Sequence, residues 1–199
     1  MSYSIQIIVN AYKESIVVFS NVDAKNSVLL VIDLQELLAP VIKDFPNILK
    51  STLQLAQAGI IHGVPCLVTE QYVKGLGETN QQIKNTLPNA AYFHKTYFSA
   101  CAEPGFVDTL KSHGKKQVVV VGTEAHVCVL QTCLDLIEND FEVIIVYDGV
   151  GSRNPQHKNL AIEQLRQAGA VISCAEIVIF QWTKKAATPT FKKILPIIK

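Results

Sequence analysis

The chain has 199 residues, with 18 Lys and Arg against 17 Asp and Glu and a formal net charge of +1. Apolar residues make up 49%, enough to bury one sizeable core and to exclude intrinsic disorder. The even charge balance leaves no basic footprint for a nucleic-acid backbone, and the charged share of 18%, below the usual ~25%, suits a homo-oligomer whose surface is partly covered.

Residues 1–26 carry two short apolar runs, Ile5 to Val9 and Ile16 to Phe19, with Lys13 and Lys25 but no Arg. That pattern fits neither a secretory signal nor an Arg-rich transit peptide. The segment reads as an N-terminal extension, a hairpin or an appended arm, ahead of a domain spanning 27–199. Ser27–Asp33 is then an almost unbroken apolar run, as are Val64–Glu70, Gln117–Gly122 and Glu142–Val146. Runs apolar on both faces suit parallel strands buried between helices. Helical spacing fills the gaps at Asn47–Gly59, Pro104–Gly114, Ala125–Asn139 and Pro155–Gly169. Ala170–Ser173 supplies a further short strand, and Ala175–Lys184 and Thr190–Ile198 are helical around Pro189. This alternation predicts one doubly wound α/β domain. No apolar run approaches the ~18 residues of a membrane span.

The five cysteines, Cys66, Cys101, Cys128, Cys133 and Cys174, are odd in number and scattered, with no CxxC pair. Free thiols in a reducing compartment are the reading, and the cytoplasm the expected location. In an open parallel sheet, ligands bind beyond the carboxyl ends of the strands. That rule selects Asp33, then Glu70 and Gln71, then Gly122–Cys128. Neither a complete GxGxxG after the first strand nor a GxxxxGK[ST] is present, so phosphate cofactors are not expected.

Cys128 falls in the opening turn of a predicted helix, where the helix dipole favours a thiolate. Buried packing is the competing reading, because free Cys is among the most buried residue types. Cys101, in a loop, is a weaker rival nucleophile. His126, two residues before Cys128, faces another way on a helix and is a poor base for it. Asp33 is better placed as base, with a turn-forming or capping role as its alternative. Lys95 follows the apolar stretch Ala90–Phe93 and on position alone reads as surface. Asp33, Glu70 and Glu124 offer carboxylates for Mg²⁺, but a neighbouring thiol argues for different chemistry.

Four stretches change those odds together: VIDLQE (31–36), VTEQYVKGLG (68–77), HKTYFSA (94–100) and GTEAHVCVLQT (122–132). In this order they resemble the isochorismatase-like cysteine hydrolases, closest to the isochorismatase domain-containing branch, some of whose members are labelled mitochondrial-associated ribonuclease. The resemblance covers about residues 27–196 and implies a Rossmann-like sheet, mostly parallel with about six strands and helices on both faces. It implies an Asp–Lys–Cys triad at Asp33, Lys95 and Cys128, with Lys95 favouring the thiolate. It also implies a cis peptide bond at Thr123–Glu124 and an oxyanion hole from the backbone N–H groups of Glu124 and Cys128. Gln71, Tyr72, Phe98 and His126 are the expected lining of the substrate pocket.

Nicotinamidases carry a DxH…H zinc set after the second strand, where this chain reads Thr69-Glu70-Gln71-Tyr72. The expectation is therefore a site without metal or cofactor. The function expected is hydrolysis of a small-molecule amide or related C–N bond through a cysteine thioester. The alternative is a catalytically idle interaction or oligomerisation protein that kept the fold. A ribonuclease is disfavoured by the neutral charge and the lack of any RNA-binding motif. Small-molecule substrate, no nucleic acid, no membrane and a homo-oligomer complete the expected partners.

Overall fold

The computed structural model describes residues 21–199. The runs Ile5 to Val9 and Ile16 to Phe19, and with them most of the 1–26 extension, lie outside the described residues. Six parallel strands form one sheet: β1 (Ser27–Ile32), β2 (Cys66–Gln71), β3 (Ala91–Lys95), β4 (Gln117–Thr123), β5 (Glu142–Gly151) and β6 (Val171–Ser173). Their order is β3-β2-β1-β4-β5-β6, the doubly wound arrangement with its switch point between β1 and β4. The fold is the α/β class expected, with every named strand pair parallel.

Side-chain alternation along the strands divides the core into two layers. Leu29, Val31, Val68, Val119 and Val121 face α1 (Phe45–His62), α7 (Ala175–Thr183) and α8 (Pro189–Ile198), meeting Ile48, Leu55, Ile179 and Trp182. Val28, Leu30, Ile32, Leu67, Val118 and Val120 face the other way, onto Phe106, Leu110, Leu136 and Leu165. Those side chains belong to α4 (Phe106–Ser112), α5 (Leu130–Glu138) and α6 (Pro155–Gln167). Two short helices, α2 (Val73–Leu76) and α3 (Gln81–Thr86), lie in the connection from β2 to β3.

β3 departs from the sequence expectation, which marked only an apolar stretch there. It is an edge strand paired on one side with β2, and Ala91 and His94 are exposed. An edge strand needs no continuous apolar run, so periodicity passes it by. The helix expected at Ala125–Asn139 is also divided. A π-helical turn, Ala125–Val129, precedes α5, and such turns recur at functional sites.

The switch point depends on one glycine. Gly122 has φ 152°, and a Cβ there would sit 2.3 Å from the Ile32 carbonyl oxygen and 2.7 Å from Ile32 Cβ. β1 and β4 pair at this level, Ile32 opposite Gly122, so neither strand can yield without breaking the ladder. Gly122→Ala is expected to destabilise the fold by about 3 kcal/mol, the upper end for overpacking. Urea unfolding followed by circular dichroism checks this; an unchanged midpoint would show that the strands separate freely here.

Candidate active site

Asp33 is the first residue beyond β1, where the carboxyl ends of β1 and β4 open onto the rim. Its backbone is left-handed, φ 52°, an uncommon state that Asp tolerates better than most residues with a side chain. Three bonds hold it there. Its N–H donates to Thr69 O at 3.1 Å, Thr123 Oγ1 donates to its carbonyl at 2.5 Å, and Thr69 Oγ1 donates to its Oδ1 at 2.7 Å. The residue is thus braced from β2 on one side and β4 on the other.

Lys95 ends β3 and is the opposite of a surface lysine. It is 2% exposed, and its Nζ lies 2.7 Å from Oδ2 of Asp33, itself 1% exposed. The ammonium also donates to Gln71 Oε1 at 2.6 Å and to the Phe98 carbonyl at 3.2 Å. A buried ammonium surrounded by a carboxylate and neutral oxygens is well satisfied. Asp33 Oδ2 accepts no directed hydrogen bond, only the ion-pair contact, so it retains lone-pair capacity toward the site.

Cys128 completes the group from the π-helical turn. It is 7% exposed, and both Asp33 and Lys95 act on its thiol. Burial, first, and the Asp33 charge push the thiol up to about 12, while Lys95 pulls it down by less. This corrects the expected resting thiolate: desolvation and the nearby carboxylate outweigh the lysine. Burial also pushes the Cys101 thiol up to about 12; its Sγ points to the Thr132 carbonyl at 3.8 Å.

The Thr123–Glu124 bond, expected to be cis, is trans, as is every peptide bond among the described residues. The chain makes its turn there through Gly122 and through Glu124 at φ −18°, ψ 98°. Glu124 turns its carboxylate away from the role of a second acid. Oε1 accepts from Arg153 Nε at 2.6 Å, and Oε2 lies 3.1 Å from His126 Nδ1. His126 Nδ1 also lies 3.0 Å from Ser152 Oγ, and its ring meets that of His157 at 4.9 Å, inclined by 54°. Burial lowers the His126 pKa, against the pull of Glu124, and the ring anchors the 124–128 segment to the end of β5.

The remaining expected residues separate by environment. Gln71 is buried, its side chain given to Lys95 and to the Thr96 carbonyl. Tyr72 and Phe98 are more than half exposed, as are Tyr97 and Leu37, and the Tyr72 ring lies against Gly75. Glu70 is occupied by the Thr79 N–H and by His94. Among the described residues no three His, Cys, Asp or Glu side chains gather into a group able to hold a metal ion. A separate groove of about 570 Å³ opens at the amino ends of β2 and β3, around Val64, Cys66 and Ala91, at the opposite strand ends from Asp33 and Lys95.

Thr69, Thr123, Gln35 and Arg153 escaped the sequence reading. Thr69 carried a weak signal, a hydroxyl directly after the apolar run of its strand; only the register, which sets it opposite Ile32, brings it beside Asp33. Arg153 carried none, because its partner Glu124 comes from another strand end.

A parallel sheet with an Asp, a Lys and a Cys converging on its carboxyl rim defines a class of α/β proteins. Residues 27–177 match the isochorismatase domain, and the chain belongs to that family. It is 39% identical to isochorismatase domain-containing protein 2 of Danio rerio over 173 residues, covering 85% of each chain. Among solved structures it resembles the MAR1 ribonuclease of Caenorhabditis elegans, with a TM-score of 0.85, 42% identity, and 90% and 92% of the two chains covered. It also resembles YcaC from Pseudomonas aeruginosa, solved with hexane-2,5-diol and covalent acrylamide, with a TM-score of 0.84, 25% identity, and 90% and 92% covered. No helix among the described residues is long and apolar enough to cross a membrane.

Proposed function

We propose that this protein hydrolyses a small-molecule amide, or a related C–N bond, through a thioester on Cys128. The observation that carries the reading is the buried Asp33–Lys95 pair acting on a buried thiol, which no packing requirement explains. The similar YcaC, solved with covalent acrylamide, supports the reading to the extent that a protein of this fold carries a group that captures an electrophile.

In the first half-reaction Asp33 Oδ2 takes the thiol proton as Sγ bonds to the carbonyl carbon. The carbonyl π electrons move to oxygen, and the backbone N–H groups of Glu124 and Cys128 stabilise that oxyanion, at about 3–4 kcal/mol per donor. Collapse breaks the C–N bond, and the amine leaves with the proton from Asp33. In the second half-reaction Asp33 takes a proton from water as the hydroxyl adds to the thioester. The C–S bond breaks, the proton returns to sulfur, and the acid departs. Lys95 keeps its proton throughout, orienting Asp33 and offsetting the negative charge passed between carboxylate and sulfur. Tyr72, Phe98 and His126 border the substrate, and the protein works as a cytoplasmic homo-oligomer.

The ribonuclease name belongs to the worm protein; a net charge of +1 and a buried Lys95 give this chain little to hold a polyphosphate. Ammonia release from a panel of small primary amides tests the proposal. Wild-type protein is expected to turn over at least one member, and Cys128→Ser none. Release that survives Cys128→Ser would refute the thioester route, and an inert wild type across amides and ureides would favour the idle-fold alternative.

A further inference from the structure

We propose that Gln71, clamped by Gln35, is a positioning residue that sets how strongly Lys95 acts on Cys128; this rests on the proposed role of the triad. The three acceptors nearest Lys95 Nζ are Asp33 Oδ2, Gln71 Oε1 and the Phe98 carbonyl, at 2.7, 2.6 and 3.2 Å. Only Gln71 among them is a neutral side chain free of catalytic duty. Its carboxamide is oriented at both ends, since Nε2 donates to the Thr96 carbonyl at 2.9 Å. The oxygen is thereby fixed toward the lysine.

The backbone of Gln71 is fixed as well. Gln35 is wholly buried; its Oε1 accepts from the Gln71 N–H at 2.8 Å, and its Nε2 donates to the Gln71 carbonyl at 3.0 Å. The same Nε2 donates to Gly77 O at 2.5 Å, which ties the loop after β2 to the clamp. Gln35 follows Asp33 by two residues, so one short segment carries both the base and the residue that holds its lysine's partner. A glutamine at 71 keeps the ammonium close without adding charge. A carboxylate there would compete with Asp33 and sulfur for the same cation.

Replacing Gln71 with methionine keeps the length and removes the acceptor. Replacing it with glutamate keeps the acceptor and adds a negative charge beside the ammonium. Both are expected to raise the Cys128 pKa, the first by loosening the lysine and the second by drawing it away. One unit cuts the thiolate population tenfold, and the more basic thiolate recovers about threefold in nucleophilicity, so alkylation slows by about threefold to fourfold. The experiment is iodoacetamide labelling at about pH 9, read for Cys128 by peptide mass spectrometry, with melting temperatures alongside.

The proposal predicts slower Cys128 labelling in folded Gln71→Met and Gln71→Glu, with Cys101 labelling unchanged. Wild-type rates at Cys128 in both, while Lys95→Met slows it, would overturn the Gln71 role. If Lys95→Met also labels at the wild-type rate, the triad reading itself fails instead. Should Gln71→Met not fold, Gln71→Leu, which also removes the acceptor without adding charge, decides the question.

Discussion

Lys95→Met is expected to cost the fold about 3–5 kcal/mol and to lower the melting temperature by roughly 10 °C. The cost arises from what remains rather than from what is removed. Asp33 is 1% exposed, and without the ammonium its carboxylate stands in a low-dielectric site with one directed bond, from Thr69. Lys84→Met is the control: Lys84 pairs with Glu78 at the surface, and its loss leaves the melting temperature where it was. Asp33→Asn combined with Lys95→Met removes both charges and recovers most of the loss. Differential scanning calorimetry of the four proteins measures all of this. A Lys95→Met protein as stable as wild type would mean that water reaches the pair and that the site is far more open than its burial indicates.

Asp33→Asn is expected to move two properties of Cys128 in opposite directions. Turnover falls by about 10²–10⁴-fold, because the proton acceptor is gone. Alkylation at neutral pH nonetheless speeds up. Asp33 raises the thiol pKa and Lys95 lowers it, so removing the carboxylate leaves the lysine unopposed and the thiolate more populated. The sign follows from the charge that faces sulfur in the folded protein. Parallel assays of amide hydrolysis and iodoacetamide labelling check it. Slower labelling in Asp33→Asn would indicate that the carboxylate activates the thiol even toward a small electrophile, as a resting ion pair does.

Much of the architecture was legible because buried parallel strands are nearly pure runs of Val, Leu and Ile. Ser27–Asp33, Gln117–Gly122 and the rest stand out, and the switch-point rule led from them to Asp33 and Cys128. Lys95 was not legible by physics alone. Its strand is a half-exposed edge, and nothing local distinguishes a lysine buried by its neighbours' folding from one that is solvated; only the motif resemblance selected it. The state of Cys128 was misjudged for a related reason. Helix-terminus and lysine effects can be read along the chain, whereas desolvation and the proximity of Asp33, 95 residues earlier, exist only in the folded molecule. Glu124 shows the same limit, since a carboxylate beside a candidate nucleophile looks catalytic until Arg153 and His126 are seen to hold it.

The central claim is that Cys128 rests as a neutral thiol, so that a small electrophile meets only the thiolate that pH populates and the proton transfer to Asp33 is reserved for the substrate. The most direct measurement is the pH dependence of acrylamide addition to Cys128, followed by peptide mass spectrometry from about pH 6 to pH 10. With the thiol pushed up to about 12, the rate is predicted to climb about tenfold per pH unit across that range, with no plateau. A rate already level by about pH 7, and level in Asp33→Asn as well, would contradict the account, because a plateau that does not need the carboxylate means that the protein stores Cys128 as a thiolate paired with Lys95.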